Sequence, residues 1–439
     1  MPQQDLRQSE RFLTLYTPPK IDGDFTGKHI ISVEQFGRRD LQILFDATIS
    51  IRKRLTQHDR GLLQLTAGRL MATLFYEAST RTDLSFQAAM RHLGGEVVAA
   101  SNGVQFSSIY KGENLADTVR AVGCYADVIV LRHPDVGSSY EAAYYLDLLR
   151  SQVSRQPVVI SGGDGVGEHP SQALLDIFTI FDFKRQIDGL NITLVGDLKH
   201  GRTVHSLAKL IARYDGQDTT INLVAPDALR MPSSIAQILQ QKNITVVETD
   251  DLFDVLGDTD VIYWTRVQEE RFQDPAEYDA IKDRFIMTPS VMAHAKPDAI
   301  LMHPLPRKGE MGTAADHDEL DADPRAGDLQ FGVGPLVVPQ IGPGLPARLL
   351  LQHHPRLDQP RLLVRAAEVG GKGKALDQRR ADRKIEGLVG VVGRRAAGGH
   401  VDEAMLQRAV GEQRRARRER QHALGRRLRR QVGEEVEFR

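Results

Sequence analysis

At 439 residues, with 41% hydrophobic and 26% charged side chains and a formal net charge of -1, the chain has the composition of a globular protein of two or three domains. No run approaches the roughly eighteen consecutive apolar residues of a membrane span, and residues 1–10 lack the apolar centre of a secretion signal. A single cysteine, Cys124, excludes an internal disulfide framework and any multi-cysteine zinc site, and leads us to expect a reducing, cytoplasmic setting.

Residues 1–28 read as a leader, with turn formers at Pro18-Pro19 and Asp22-Gly23-Asp24. Ser32 and Gln35 have the spacing of a capping box, which predicts an amphipathic helix opening there and running through Leu41, Leu44, Phe45 and Ile49. The apolar run 70–75 reads as a buried strand, and a helical period follows the polar turn through Leu84, Phe86, Ala89 and Leu93. The rhythm repeats, with strands expected at 97–100, 128–131 and 158–160 and helices near 115–122 and 141–149. A second series follows, with strands at 192–195, 221–224, 245–247, 261–263 and 300–302. This alternation predicts an α/β fold of two doubly wound parallel-sheet domains, at 29–167 and 168–326. The glycine-rich segment 161–167 is the expected hinge. From 327 to 439 the composition changes to 23 basic against 13 acidic residues, with no Tyr and no Trp.

Ligands of doubly wound folds sit beyond the carboxyl ends of strands, where loops enter helices. Six polar groups fall at such places. Ser79-Thr80-Arg81-Thr82 lies between strand and helix, where free N–H groups, hydroxyls and a guanidinium favour an anion. Simple capping of the helix accounts for that cluster equally well. Arg132-His133-Pro134 follows the strand ending at Leu131. His169-Pro170-Ser171-Gln172 opens a helix, and Pro170 at its first position explains part of the motif without any function. Gly201-Arg202-Thr203-Val204, Thr265-Arg266-Val267-Gln268 and His303-Pro304-Leu305-Pro306-Arg307 follow later strands. Together they offer Arg81, Arg132, Arg202 and Arg266 to anions, and His169 and Gln172 to a carbonyl. There is no HExxH pair, nucleophile elbow or Walker loop, and Val195-Gly196-Asp197 lacks the further glycines of a dinucleotide fingerprint. The inventory suits chemistry by positioning and charge stabilisation, with no cofactor, metal or covalent intermediate.

These motifs resemble the aspartate/ornithine carbamoyltransferase family over about 29–324. Phe75-Tyr76-Glu77-Ala78-Ser79-Thr80-Arg81-Thr82 is similar to the family's carbamoyl-phosphate signature, and His169-Pro170-Ser171-Gln172 to its second signature. His303-Pro304-Leu305-Pro306-Arg307 and Tyr263-Trp264-Thr265-Arg266-Val267-Gln268 resemble the aspartate branch; the ornithine branch usually carries cysteine after that histidine. The resemblance implies transfer of the carbamoyl group of carbamoyl phosphate to L-aspartate, a step of pyrimidine biosynthesis. It implies Ser79, Thr80, Arg81 and Thr82 on the phosphate, and Arg132, His169 and Gln172 on the carbamoyl group, with Thr82 near the carbonyl oxygen. Arg202, Arg266 and Gln268 would take the aspartate carboxylates, and Leu305 would offer its backbone carbonyl. Residues 107–113 resemble a loop that enters a neighbouring subunit's site, with Ser107 and Lys111 as its ligands, which implies a homotrimer with shared sites. Glu77 matches an acidic residue that ties the domains together through Arg202 and Arg271.

Two departures stand out. Asp83 occupies a place where the family commonly has arginine, a charge reversal expected to weaken phosphate binding unless the side chain points outward. After Ala326 the family's C-terminal helix, which packs back on the first domain, gives way to Gly-, Pro- and Arg-rich sequence. The run Gly342-Pro343-Gly344-Leu345-Pro346 breaks any helix there. This tail reads either as a disordered basic extension for an acidic partner or nucleic acid, or as an out-of-frame translation. The break inside a continuous match favours the second, and no recognised nucleic-acid-binding fold accompanies the tail. An ornithine-type enzyme and an inactive homologue serving as an assembly subunit are the competing readings. Pro304 with Arg202, Arg266 and Gln268 argues against the first; the retained Arg81, Lys111, Arg132 and His169 argue against the second.

Overall fold

The computed structural model describes residues 8–101, 112–242, 244–267, 272, 278–279, 281, 285–307, 309–323 and 325. Ser107, Lys111, Gln268, Arg271 and the tail 327–439 lie outside the described residues.

Among the described residues the apolar runs form two all-parallel sheets. The first holds β1 (Leu70–Phe75), β2 (Glu96–Ser101), β3 (Val128–His133) and β4 (Val158–Asp164) in the order β2-β1-β3-β4. The second holds β5 (Asn191–Val195), β6 (Thr220–Val224), β7 (Thr245–Thr249), β8 (Val261–Trp264) and β9 (Ile300–Met302) in the order β7-β6-β5-β8-β9. Helices separate the strands: α1 (Phe12–Leu15), α2 (Arg38–Thr56), α3 (Thr80–His92), α4 (Leu115–Gly123), α5 (Ser138–Arg150), α6 (Pro170–Lys184) and α7 (Arg202–Tyr214). Further on come α8 (Ser233–Gln240), α9 (Phe253–Leu256), α10 (Pro289–Met292) and α11 (Ala314–Ala322). Parallel strands need such crossovers, and helices on both faces bury the inner strands, which is why β3 and β8 read as continuous apolar runs, whereas the edge strand β7 stays partly exposed. None of the described helices is long and apolar enough to cross a membrane.

Every expected strand forms, most of them a residue or two longer at the ends. Most of the added residues lack an apolar side chain, yet they still pair: Glu96 with Leu70, and Thr220 with Asn191. One apolar cluster runs from Val130 and Ile160 of the first sheet through Ile177 and Phe178 of α6 to Leu207 of α7 and Ile192 of the second sheet. Each such fully buried aliphatic side chain contributes about 1.5–3 kcal/mol. The two sheets therefore share a continuous core.

Two expectations need correction. The Ser32–Gln35 capping box is present, but it closes the 3-10 turn Val33–Gln35, and α2 begins at Arg38 behind Gly37. Gln35 is buried and fully used: its Oε1 accepts from the N–H groups of Ile31 (2.8 Å) and Ser32 (3.1 Å), and its Nε2 donates to the His29 carbonyl (2.7 Å). Asp40, accepting from Gly37 N at 2.7 Å, opens the long helix instead. The leader is also more than turns. Phe12 of α1 is buried against Tyr144 and Tyr145 of α5, and Tyr16 donates to Asp147 at 2.7 Å.

Candidate active site

In the first sheet, successive strands run outward in opposite directions from β1 and β3; in the second they do so from β5 and β8. Helices leaving neighbouring strands toward opposite faces open a crevice at the strands' carboxyl ends. At that end of the first sheet, β1 leads into Glu77 and α3, and β3 terminates on Arg132 and His133. In the second, β5 leads to Arg202 at the start of α7, and β8 leads to Thr265 and Arg266. The polar motifs thus fall at the two topological switch points.

Ser79 is the N-cap residue of α3, but its side chain makes no cap bond; its Oγ donates to Thr82 Oγ1 at 2.9 Å. Capping therefore does not account for the Ser-Thr-Arg-Thr cluster. Arg81 stands in the first turn, its guanidinium pKa lowered by partial burial and by the nearby charge of Arg132. Neighbouring cations at a helix N-terminus are the physical signature of an anion site. Asp83 does not meet the outward-facing condition under which its charge would matter little. It is buried and accepts from Gln87 Nε2 at 2.8 Å, one turn along the same helix.

Arg132 is aimed by an irregularity. The β3–β4 register steps from Leu131 opposite Ser161 to His133 opposite Asp164, so Gly162 and Gly163 together face Arg132. Such a bulge redirects the opposed side chain, as is common beside active sites. Arg132 donates from one terminal nitrogen to the Gly162 carbonyl (2.9 Å) and from the other to Glu77 Oε1 (3.1 Å). Gly163 has φ +115°, and a Cβ there would lie 3.1 Å from an Arg132 terminal nitrogen and 3.5 Å from both the Arg202 guanidinium carbon and His169 Cδ2. Three of the residues singled out in the sequence thus converge on one glycine. Residues 161–167, the expected hinge, complete β4 with this bulge and then turn tightly: Gly165 N donates to His133 O at 2.8 Å. Its glycines serve close approach.

His169 is the N-cap of α6. The Gln172 N–H points at His169 Nδ1 (3.4 Å) and Ser171 Oγ lies 3.2 Å from the same atom, so Nδ1 accepts and the ring proton sits on Nε2. Burial, Arg202 and Arg132, in that order, hold the imidazole pKa well below 6.5. His169 is therefore a neutral donor near neutrality. Its backbone N–H donates to Ser206 Oγ of α7 at 3.1 Å. Arg202 donates to the Gly165 carbonyl and faces Glu77 Oε2 at 3.7 Å. Glu77 thus bridges Arg132 of the first sheet and Arg202 at the start of α7. Gln172 is turned along its own helix to Asp176 (2.8 Å), whose other oxygen accepts from Tyr263 of β8 at 2.7 Å.

Arg266 belongs to a second group at the ends of β8 and β9. Thr265 pins this segment through its N–H and its hydroxyl, both donating to Val195 O at 2.9 Å. Buried His303 accepts from Leu305 N at Nδ1 (2.9 Å) and donates from Nε2 to Glu310 (3.1 Å). Its pKa is lowered chiefly by burial, with the charge of Arg266 among the further causes. His303 thereby fixes Leu305, whose φ is +56°. Arg307 of the same motif is taken up by a bidentate pair with Asp321 of α11 at 2.7 and 2.9 Å. The sequence reading missed Gly163, Ser206 and Asp164; the only hint of the first and last was the glycine run itself.

Chemically, the first group offers guanidiniums and a neutral imidazole N–H around one point, fit to hold a phosphate and polarise a carbonyl. The second offers a further guanidinium.

Residues 28–182 match the family model described as "Aspartate/ornithine carbamoyltransferase, carbamoyl-P binding domain", and residues 188–322 match its "Asp/Orn binding domain". The chain is 47% identical over 305 residues to the multifunctional protein pyr1-3 of Dictyostelium discoideum, covering 70% of this chain but only 13% of that protein. It is 44% identical over 294 residues to the aspartate carbamoyltransferase catalytic subunit of Methanocella arvoryzae, covering 67% of this chain and 90% of that subunit. A crystal structure of aspartate transcarbamoylase from Trypanosoma cruzi in complex with N-(phosphonacetyl)-L-aspartic acid superposes with a TM-score of 0.61 at 41% identity, covering 71% of this chain and 93% of that one.

Proposed function

The chain belongs to the aspartate/ornithine carbamoyltransferase family, and from that premise we propose that it transfers the carbamoyl group of carbamoyl phosphate to the amino group of L-aspartate, giving N-carbamoyl-L-aspartate and phosphate. The observation that carries this reading is the convergence of Arg132, Arg202 and His169 on Gly163, beside the uncapped start of α3.

The phosphate of carbamoyl phosphate is taken by Ser79, Thr80, Arg81 and Thr82, where N–H groups and the guanidinium meet its charge. Arg132 and neutral His169 donate to the carbamoyl oxygen, with Gln172 beside them. Donors already aimed at that oxygen stabilise the oxyanion that forms when the aspartate amine attacks. A histidine kept unprotonated suits this role, because it donates from Nε2 without adding a third full charge beside Arg132 and Arg202. Arg202, Arg266 and Gln268 hold the two carboxylates of aspartate, with the Leu305 carbonyl near the amine. The leaving phosphate is the proton acceptor, so no strong protein base is needed. Ser107 and Lys111 complete the site from a neighbouring subunit in a homotrimer. The setting is the reducing cytoplasm that the single cysteine suggests.

Titration with N-(phosphonacetyl)-L-aspartate tests the two-part site, because this compound joins a phosphonate to an aspartyl group. Binding should be tight, and weakened at least tenfold by either Arg81→Ala or Arg266→Ala. Binding that neither variant changes would refute the assignment.

A further inference from the structure

Resting on the proposed reaction, we infer that Asp164 is a positioning residue for the site: its carboxylate fastens the turn 164–168 so that the Gly165 carbonyl and His169 meet Arg202 and Arg132 in one fixed geometry.

Asp164 ends β4 and is 3% exposed. Its two oxygens are divided between two segments of chain. Oδ1 accepts from Glu168 N at 2.7 Å, and Oδ2 accepts from Gly137 N at 3.1 Å, at the entrance to α5. The turn so held is tight by independent signs. Gly167 N donates to Asp164 O at 2.9 Å, and a Cβ on Gly167 would lie 2.6 Å from Asp164 Oδ1. Gly165 has φ +58°, and a Cβ there would lie 2.1 Å from the Pro134 carbonyl. The turn is therefore packed closely against 133–137, with the carboxylate holding both sides.

Two elements of the site leave from this turn. The Gly165 carbonyl receives the Arg202 guanidinium, and the residue after Glu168 is His169. His169 is in turn tied to α7 through Ser206, four residues or about one helical turn beyond Arg202. One buried carboxylate thus reaches both the imidazole that faces the carbamoyl oxygen and the arginine that faces aspartate. Burial raises the Asp164 carboxyl pKa to about 7, opposed by the N–H groups of Glu168 and Gly137 and by the charge of Arg202, while the charge of Glu168 adds to the rise. A group held at that cost of desolvation, hydrogen-bonded only to backbone N–H groups in the contacts above, suits a clamp.

Asp127 provides the comparison. It is also a buried carboxylate that holds backbone, accepting from Leu70 N at 2.9 Å, but it stands at the amino ends of the strands, away from the site. The experiment compares the full-length protein with Asp164→Asn and Asp127→Asn by kinetics and by hydrogen exchange of peptides covering 164–169 and 202–206. Asparagine keeps the shape of Asp164 but turns one acceptor into a donor facing an N–H group. Asp164→Asn should lower kcat at least tenfold and speed exchange in both peptides. Asp127→Asn should lower Tm, leave kcat within twofold and leave both peptides unchanged. Wild-type kcat in Asp164→Asn, or faster exchange confined to 164–169, overturns the proposal. If the unaltered chain forms no carbamoyl aspartate, the functional reading fails, while exchange at 202–206 still decides the clamp. Should Asp164→Asn not fold, Asp164→Ser, which retains an acceptor oxygen, is judged by the same two measurements.

Discussion

Replacing Gly163 by alanine is the sharpest perturbation of the site, because it adds one methyl group at the point where three side chains meet. Two effects follow. Alanine at φ +115° lies in a region that only glycine adopts freely, a strain of about 1–3 kcal/mol. For a protein of this size that is a fall in Tm of roughly 2–5 °C. The methyl would also stand 3.1 Å from an Arg132 terminal nitrogen, too close by a few tenths of an ångström. Arg132 cannot yield freely, since it is buried and bound to the Gly162 carbonyl at 2.9 Å. Loss of that charge-assisted hydrogen bond is worth about 1.5–3 kcal/mol. If this falls on the transition state, kcat drops about 10- to 150-fold. Initial rates of carbamoyl aspartate formation, run beside thermal denaturation, measure both effects. Gly162→Ala is the control, because its nearest contact, Leu131 O at 3.4 Å, is ordinary and its φ is not positive. It should stay within a few fold of the parent. Gly163→Ala with the parent's kcat and KM, whatever its Tm, would refute the convergence on which the site rests.

Other consequences are as direct. His169→Ala removes a donor to the developing oxyanion and should lower kcat by about 10²–10³ with little change in KM. Arg266→Ala should mainly raise the KM for aspartate; the same kinetic profile in both variants would sink that division of labour. Asp164 gives the pH dependence a sign. Its carboxyl is raised from 3.8 to about 7 in the fold, so the folded chain keeps a proton that the unfolded chain releases. Its contribution thus favours the fold below about pH 4 and is lost as pH rises through about 7. Asp164→Asn should flatten the decline in Tm between pH 5 and 8, and an unchanged slope would contradict the assignment.

The architecture was legible because parallel strands buried on both faces leave unbroken apolar runs. Leu70–Phe75 and Ile300–Met302 were readable to the residue, whereas Glu96 and Thr220 pair in strands without any apolar signal. The site was legible as polar residues placed just past strand ends, where nothing in the core requires them. Their roles came from the family resemblance, since spacing alone allowed capping at Ser79 and Pro170. Glycine was the hardest to read. A run such as 161–167 looks the same whether or not it admits a guanidinium, and only the contacts around Gly163 and Gly165 show the close approach. Ser32 with Gln35 misled for a related reason: the box was real, but a 3-10 turn uses the same pairing as a long helix. Asp83 and Asp164 depended on burial that one sequence does not reveal.

The central claim is that one crevice joins a carbamoyl-phosphate half to an aspartate half. The direct measurement is the rate of carbamoyl transfer by the full-length chain from carbamoyl phosphate to L-aspartate and, in parallel, to L-ornithine. The account predicts N-carbamoyl-L-aspartate and phosphate in equal amounts, with no product from ornithine. Product from ornithine alone would contradict it.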